Sequence, residues 1–190
     1  MTARLALLAH GATAATRAAS FADDEPLEPR PLAALESARG RLRSYDRVLA
    51  APARAAQQTA AALGLEAGTA PALRECDFGR WRGLGLAEVE AREPEALATW
   101  LGDASAAPHG GEPLAALIER TRAWLAEEVL RQGATLAITH ASVIRAAIIG
   151  ALGAGPASFW RIDVAPLSLA RLSGREGRWN LVSLSALAPS

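Results

Sequence analysis

The chain contains three histidines, the side chains best suited to exchange protons or attack electrophiles near neutral pH. His10 directly follows the apolar run RLALLA at 4–9, and His140 directly follows the apolar run ATLAIT at 134–139. Short apolar runs of this kind are typical of buried strands. Ligands of open α/β sheets bind beyond the carboxyl ends of the strands, so this pair of histidines favours one shared site over two purely structural side chains.

The residues after each histidine suit an anion. Gly11 follows His10 and, having no side chain, lets a ligand approach the backbone. A helix is predicted at 141–152, directly after His140, and its free N–H groups at 141–143 can face a negative charge. The pattern therefore predicts an anion-binding site with two imidazoles beside a helix N-terminus.

Alternating strands and helices have to position these residues. A third buried strand is predicted at 48–51, and Pro52 opens a helix at 52–63 that Gly64 ends. The other predicted elements are helices at 32–44, 86–101 and 113–131, an irregular glycine-rich stretch at 71–85, and late strands at 164–172 and 178–184. This order predicts one domain over residues 1–190, with a three-layer α/β/α fold, a mostly parallel sheet and helices on both faces.

The composition excludes several classes of protein. The 190 residues carry 20 basic and 20 acidic side chains, a net charge of +0, which argues against a general binder of nucleic acid or of anionic membranes. No apolar run approaches the roughly 20 residues of a membrane span, and we expect no secretory signal, since a charged start and a cleavage region are missing. The single cysteine, Cys76, excludes an internal disulfide framework and a cysteine-based zinc site. We expect a cytoplasmic enzyme or binding domain with no metal and no other cofactor.

Five segments carry the strongest indication of function. They are LLAHGAT at 7–13, PARAAQQTAAAL at 52–63, LRECDFGRWRG at 73–83, HGGEP at 109–113 and ITHASVIRAAI at 138–148. Taken in this order, they resemble the signatures of the histidine phosphatase superfamily, which includes the phosphoglycerate mutase-like phosphatases. The Asp-Phe-Gly-x-Trp part of the third segment is similar to the α-ribazole phosphatase-like branch. The resemblance implies the phosphoglycerate mutase-like fold, in agreement with the predicted strands and helices.

The resemblance also implies a reaction, the hydrolysis of phosphomonoesters through a phosphohistidine. It makes His10 the nucleophile, Glu75 the general acid for the leaving oxygen, and His140 a partner that binds the phosphoryl group. A neutral imidazole can attack phosphorus without prior ionisation, which makes this chemistry physically reasonable near neutral pH. The implied partner is a small phosphorylated or acidic molecule.

Two positions depart from the family pattern. Members of the family clamp the phosphoryl group with two arginines, but here Ala9 precedes His10 and Ala55 stands three residues after Pro52. Arg54 lies one residue early, and one residue along a helix turns a side chain by about 100°, so Arg54 is not expected to substitute. A cationic clamp contributes on the order of 10³–10⁵ in rate to phosphoryl transfer, so we expect weak activity.

Other residues are candidates for contact with the substrate. The resemblance places Gly11, Thr16, where an Asn is usual, and the backbone N–H of Ala141 at the phosphoryl group. Arg17, in the loop after the nucleophile, and Arg82, beside a tryptophan in the third segment, are candidates for a replacement cation.

Three functions stay open on this evidence. The first is a weak phosphomonoesterase, and the second is a non-catalytic protein that binds an acidic small molecule or a protein partner in the old pocket. The third is an enzyme with a changed, less charged substrate. A mutase is not expected, because the long insertion of bisphosphoglycerate-dependent mutases is missing. Arg80 is interpreted as a solvated surface residue, and His109 as a solvated loop residue, with ligand contact as its alternative role. The oligomeric state is left open, with a homodimer as one option.

Overall fold

The computed structural model of the chain describes residues 2–30, 35–36, 42 and 45–187. Its six-stranded sheet is built from β1 (Ala3–Ala9), β2 (Arg47–Ala50), β3 (Gly68–Thr69), β4 (Gly133–Thr139), β5 (Ser168–Arg175) and β6 (Arg178–Ala186). The strand order is β3-β2-β4-β1-β5-β6. The first four strands run parallel to one another, whereas β5 and β6 form an antiparallel hairpin beside β1. The predicted α/β fold with a mostly parallel sheet is confirmed.

The parallel pairing of β1 with β4 brings the two strand-end histidines together. Ala9 pairs with Thr139, the last residue of each strand, so His10 and His140 leave the sheet side by side. The backbone N–H of His10 donates to the Thr139 carbonyl at 2.9 Å, which extends the pairing by one residue. The strand register therefore brings the two histidines to one edge of the sheet, as the two apolar runs predicted.

Helices cover the sheet: α1 (Ala14–Ala18), α2 (Arg54–Ala62), α3 (Leu86–Arg92), α4 (Pro94–Gly102), α5 (Leu114–Glu128) and α6 (Ala141–Leu152). This cover explains the unbroken apolar runs of the central strands, because a strand with one face in solvent would alternate between apolar and polar residues. Leu7 and Leu8, which point to opposite faces of β1, are both fully buried. A second, smaller apolar cluster consists of Phe21, Trp81, Val89, Leu97 and Trp100.

The prediction of one helix at 86–101 is wrong, because two helices occupy this stretch. The chain leaves the helical conformation at Glu93, where φ is −138° and ψ is 55°. Pro94 has no N–H to donate, and its ring disfavours the α conformation in the residue before it. The proline therefore ends α3 and serves as the first residue of α4.

Smaller differences concern the ends of the sheet. β5 begins at Ser168 and not at 164, because Leu167 adopts a left-handed conformation with φ of 61°. The two-residue strand β3 was not predicted, and both of its residues are exposed. The helix predicted at 32–44 lies almost entirely outside the described residues. Among the described helices, none has the length and apolar character that crossing a membrane requires.

Candidate active site

A cavity of about 560 Å³ lies where β1, β2 and β4 end. The residues that follow these strands line it: His10 after β1, Pro52 and Ala53 after β2, and His140 after β4. Its remaining walls include Asp23, Asp24 and Glu25, the segment from Arg74 to Phe78, the start of α6, and the aromatic side chains of Phe21, Trp100, Phe159 and Trp160. The predicted location of the site at the carboxyl edge of the sheet agrees with this cavity.

The imidazole of His10 is held in one tautomer. Its Nδ1 lies 2.8 Å from the carbonyl oxygen of Gly11. Because a carbonyl oxygen can only accept, Nδ1 carries the proton and donates it to this bond. Nε2 therefore keeps its lone pair and is the atom able to attack an electrophile.

His140 lies next to His10, with ring centroids 5.0 Å apart and ring planes at 76°. Its side chain is buried, and neither ring nitrogen has a hydrogen-bond partner among the described residues. Burial lowers the pKa of His140 to about 4, and the nearby Glu75 carboxylate only partly opposes this effect. His140 is thus neutral at pH 7 and presents one N–H and one lone pair that a ligand can satisfy.

Glu75 is fixed beside His140 by two donors. Its Oε1 accepts a hydrogen bond from the backbone N–H of Cys76 at 2.8 Å and another from the hydroxyl of Ser142. Its Oε2 lies 3.4 Å from Nδ1 of His140, outside hydrogen-bond geometry. The second oxygen therefore stays available for transfer of a proton within the cavity.

A largely buried arginine supports the segment that carries Glu75. Arg120, on α5, donates to the carbonyl oxygens of Ala72 and Arg74 at 2.9 Å and of Glu75 at 3.1 Å. It also forms a bidentate ion pair with the carboxylate of Glu112 at 2.6 and 3.0 Å. Arg120 was not predicted, because its partner Glu112 lies before the start of α5 and helical spacing does not align the two side chains.

The loop after His10 is held in place by hydrogen bonds. The Gly11 N–H donates to the hydroxyl of Thr59 at 3.1 Å, which ties this loop to α2. Thr16 lines the cavity, but its hydroxyl accepts from the Thr13 N–H and donates to the Thr13 carbonyl, both at 2.8 Å, within the capping box of α1. Thr16 thus lies where it was predicted, while its side-chain hydrogen bonds serve the helix cap.

The two positions at which the resemblance implies arginines carry small side chains. Ala9 is the last residue of β1 and is buried. Ala55 is buried in the first turn of α2 and lines the cavity. Arg54 is exposed and is not among the lining residues, as the rotation argument predicts, and its backbone N–H bonds to Asp24 Oδ1 at 2.7 Å.

The candidate replacement cations are placed differently. Arg17 forms an ion pair with Glu28 and borders a separate depression, so the structure does not bring it into the cavity. Arg82 does line the cavity, where it pairs with Asp77 at 3.0 Å. A hydrogen bond from the Gly79 N–H and the Arg82 guanidinium together lower the pKa of Asp77, which keeps this pair charged. Arg145, which was not predicted as a candidate cation, also lines the cavity.

The interpretation of His109 as a solvated loop residue is wrong. Its side chain is 1% exposed, and its Nδ1 accepts from the Gly111 N–H at 2.9 Å, so Nε2 carries the proton. The loop is buried because its backbone packs directly on the 77–79 segment. A Cβ at Gly79 would overlap the His109 carbonyl, and φ of +48° there also favours glycine. Arg80, in contrast, is a surface residue as predicted, in an ion pair with Glu93.

The chain belongs to the histidine phosphatase superfamily (branch 1), whose sequence pattern matches residues 5–186. The predicted family and its phosphoglycerate mutase-like fold are thereby confirmed. The bifunctional protein Rv2228c of Mycobacterium tuberculosis (strain ATCC 25618 / H37Rv) is 36% identical over 131 residues, which are 65% of this chain and 36% of that protein. The chain thus spans little more than a third of the length of this curated relative.

Solved structures of the same fold superpose closely on this chain. The native structure of mycobacterial glucosyl-3-phosphoglycerate phosphatase Rv2419c superposes with a TM-score of 0.85 at 26% identity, covering 98% of this chain and 100% of that one. A putative α-ribazole-5'-P phosphatase of Escherichia coli str. K-12 substr. MG1655 superposes with a TM-score of 0.85 at 24% identity, covering 99% and 98%. The second likeness concerns the fold alone, so the similarity to the α-ribazole branch remains a sequence-based prediction.

Proposed function

We propose that the protein hydrolyses small phosphomonoesters through a phosphohistidine at His10. The observation that carries this proposal is the fixed tautomer of His10. Its protonated Nδ1 is held by the Gly11 carbonyl, and its free Nε2 shares the cavity with the unsatisfied ring nitrogens of His140. The family and the phosphatase named among the similar structures support a small phosphorylated substrate.

In the first step, the Nε2 lone pair of His10 forms a bond to phosphorus while the bond from phosphorus to the ester oxygen breaks. Glu75 gives its proton to that oxygen, and the alcohol leaves. The Nδ1–H to Gly11 bond stabilises the positive charge that the ring acquires. In the second step, water attacks phosphorus and gives one proton to the Glu75 carboxylate. The N–P bond breaks, its electron pair returns to Nε2, and inorganic phosphate departs.

The remaining groups stabilise charge on the phosphoryl oxygens. Neutral His140 donates one N–H, and the first backbone N–H groups of α6, at Ala141 and Ser142, have no partner within the helix. Arg82 is the cation of the predicted set that lies in the cavity. With alanine at positions 9 and 55, we expect slow turnover, because electrostatic positioning supplies most of the catalysis in phosphoryl transfer. A cytoplasmic location and a possible homodimer remain predictions.

One observation favours the alternative, a binding protein without turnover. Asp23, Asp24 and Glu25 line the same cavity, and the charge of Asp24 acts on His140. Carboxylates near the phosphoryl position oppose a dianionic ester by like-charge repulsion. Such a protein would be stabilised by its ligand without consuming it.

Turnover of p-nitrophenyl phosphate by purified protein, beside a His10→Ala variant, tests the proposal. The control is Arg178→Gln, an exposed residue of the β5–β6 hairpin at the amino end of β1, the end of the sheet opposite the cavity. We expect slow release of nitrophenol by the native protein and the control, and none by the His10 variant. Equal rates in all three would contradict a role for His10. No turnover together with thermal stabilisation by inorganic phosphate would favour the binding protein.

A further inference from the structure

Three arginines of the described residues line the cavity, and they differ in their partners. Arg74 pairs with Glu112 at 3.3 Å and Arg82 pairs with Asp77 at 3.0 Å, and both arginines are about half exposed. Arg145 is partly buried and forms no ion pair with a described carboxylate. Among the described residues, Arg145 is therefore the cavity-lining arginine whose charge is not paired with a carboxylate and can pair with a ligand.

The guanidinium of Arg145 is held in one orientation. Its Nε donates to the Ile162 carbonyl at 2.7 Å, and its central carbon lies 5.6 Å from the centroid of the Phe159 ring. These contacts use one edge and one face of the planar group. The two terminal NH₂ groups form no hydrogen bond with a described residue, and Arg145 lines the cavity, so both groups can donate to a ligand there. A planar anion can satisfy both groups at once.

Helix α6 locates Arg145 relative to the reacting groups. Ser142, whose hydroxyl donates to the Glu75 carboxylate, lies three residues before Arg145, a spacing that places both side chains on one face of the helix. The charge of Glu75 acts on Arg145 as well as on His140. Since Glu75 is the residue proposed to protonate the leaving oxygen, Arg145 lies on the side of the cavity where we expect the leaving group.

We propose that Arg145 binds a carboxylate on the leaving-group half of the substrate and so selects phosphomonoesters of hydroxy acids. This inference rests on the proposed function and narrows its substrate class. A single negative charge matches the single unpaired guanidinium, and Phe159 and Trp160 provide an apolar wall beside it. Further negative charge is disfavoured by the carboxylates of the 23–25 loop.

A matched pair of substrates tests the inference: 3-phosphoglycerate, and glycerol 3-phosphate, which carries a hydroxymethyl group in place of the carboxylate. In Arg145→Gln we expect kcat/KM for 3-phosphoglycerate to fall about 10- to 100-fold, the loss of one charge-assisted hydrogen-bonded pair. For glycerol 3-phosphate we expect a change within about twofold, because that substrate never used the charge. The control is Arg161→Gln, an exposed arginine of the same segment as Ile162 that does not line the cavity.

Equal losses on both substrates would overturn the inference, because Arg145 would then act on the phosphoryl group. No loss on either substrate would also overturn it. If Arg145→Gln does not fold, Arg145→Lys decides in its place, with an expected loss of about 3- to 10-fold on 3-phosphoglycerate alone, since an ammonium keeps the charge but not the bidentate fork. An unchanged preference in the lysine variant would contradict the proposed contact.

Calorimetric binding separates this inference from the proposed function. In a His10→Ala background, which cannot form the phosphohistidine, we expect 3-phosphoglycerate to bind about 10- to 100-fold more weakly once Arg145→Gln is added. An unchanged Kd would overturn the role of Arg145 whether or not the protein is a phosphatase. If the protein with His10 intact shows no turnover, but Arg145→Gln still weakens the binding of 3-phosphoglycerate, the phosphatase proposal fails and the carboxylate site stands.

Discussion

Replacing Arg120 by methionine tests whether the support beneath Glu75 matters for chemistry. The change removes three hydrogen bonds to the 72–75 segment and the ion pair with Glu112, whose carboxylate is 9% exposed. Removal of one partner of a fully buried pair costs about 3–5 kcal/mol. Because this pair is 9–15% exposed and Arg74 still pairs with Glu112 at 3.3 Å, we expect about 2–4 kcal/mol here. For a domain of this size, that corresponds to a fall in Tm of about 4–16 °C. The control is Arg122→Met on the same helix, an exposed residue in a surface ion pair with Glu119, for which we expect less than about 1 kcal/mol.

The assay that separates positioning from stability compares two leaving groups. Nitrophenolate leaves without a proton, whereas an alkoxide needs one, and general acid catalysis contributes about 10²–10⁴ in rate. If Arg120 orients Glu75, Arg120→Met lowers kcat on an alkyl phosphate at least about tenfold more than on p-nitrophenyl phosphate at a temperature where the variant is folded. Equal losses on both substrates would refute the reasoning and leave Arg120 a purely structural residue.

Three further predictions follow from other parts of the site. Ala55→Arg, which introduces at the cavity wall the arginine that the resemblance implies, is expected to raise kcat/KM on p-nitrophenyl phosphate at least about tenfold. An unchanged rate in the folded variant would contradict the proposal that a missing arginine slows turnover. His140 has its pKa lowered from 6.5 to about 4, so the unfolded chain binds its proton first and the free energy of unfolding falls as pH drops through this window. The free energy of unfolding falls by up to about 1.4 kcal/mol per pH unit in this window. In urea titrations, His140→Gln should show a smaller fall in the free energy of unfolding as pH drops. Identical pH dependence in the native protein and the variant would exclude a contribution from His140. Burial and the neighbouring Glu75 raise the pKa of Cys76, so iodoacetamide at pH 8 should label it only after denaturation, and rapid labelling of the native protein would contradict its burial.

The sheet and the paired histidines were predictable because they depend on local patterns. Each apolar run ends at its histidine, and parallel strands place their carboxyl ends at one edge, which the Ala9–Thr139 pairing realises. The end of α3 at Glu93 could also have been predicted, because a proline disfavours the helical conformation in the residue before it. Helix α6 begins directly after His140, as predicted, and extends to Leu152.

The side chains that were missed or misplaced depend on distant contacts. Arg17 points to Glu28 across a loop, and Arg145 is aimed by Ile162, a carbonyl 17 residues further along the chain. His109 is buried because two glycine-containing backbones pack against each other, at 77–79 and 109–111. Spacing in the sequence carries no information on these three arrangements, because each is decided by tertiary packing.

A covalent phosphohistidine is the most direct test of the account as a whole. The protein is mixed with a radiolabelled phenyl phosphate, quenched in base within the first turnovers, and digested for mass spectrometry. We predict a label that is stable in base, labile in acid, located on His10 and missing from the His10→Ala variant. Turnover without any base-stable label, or a label that persists in that variant, would contradict it.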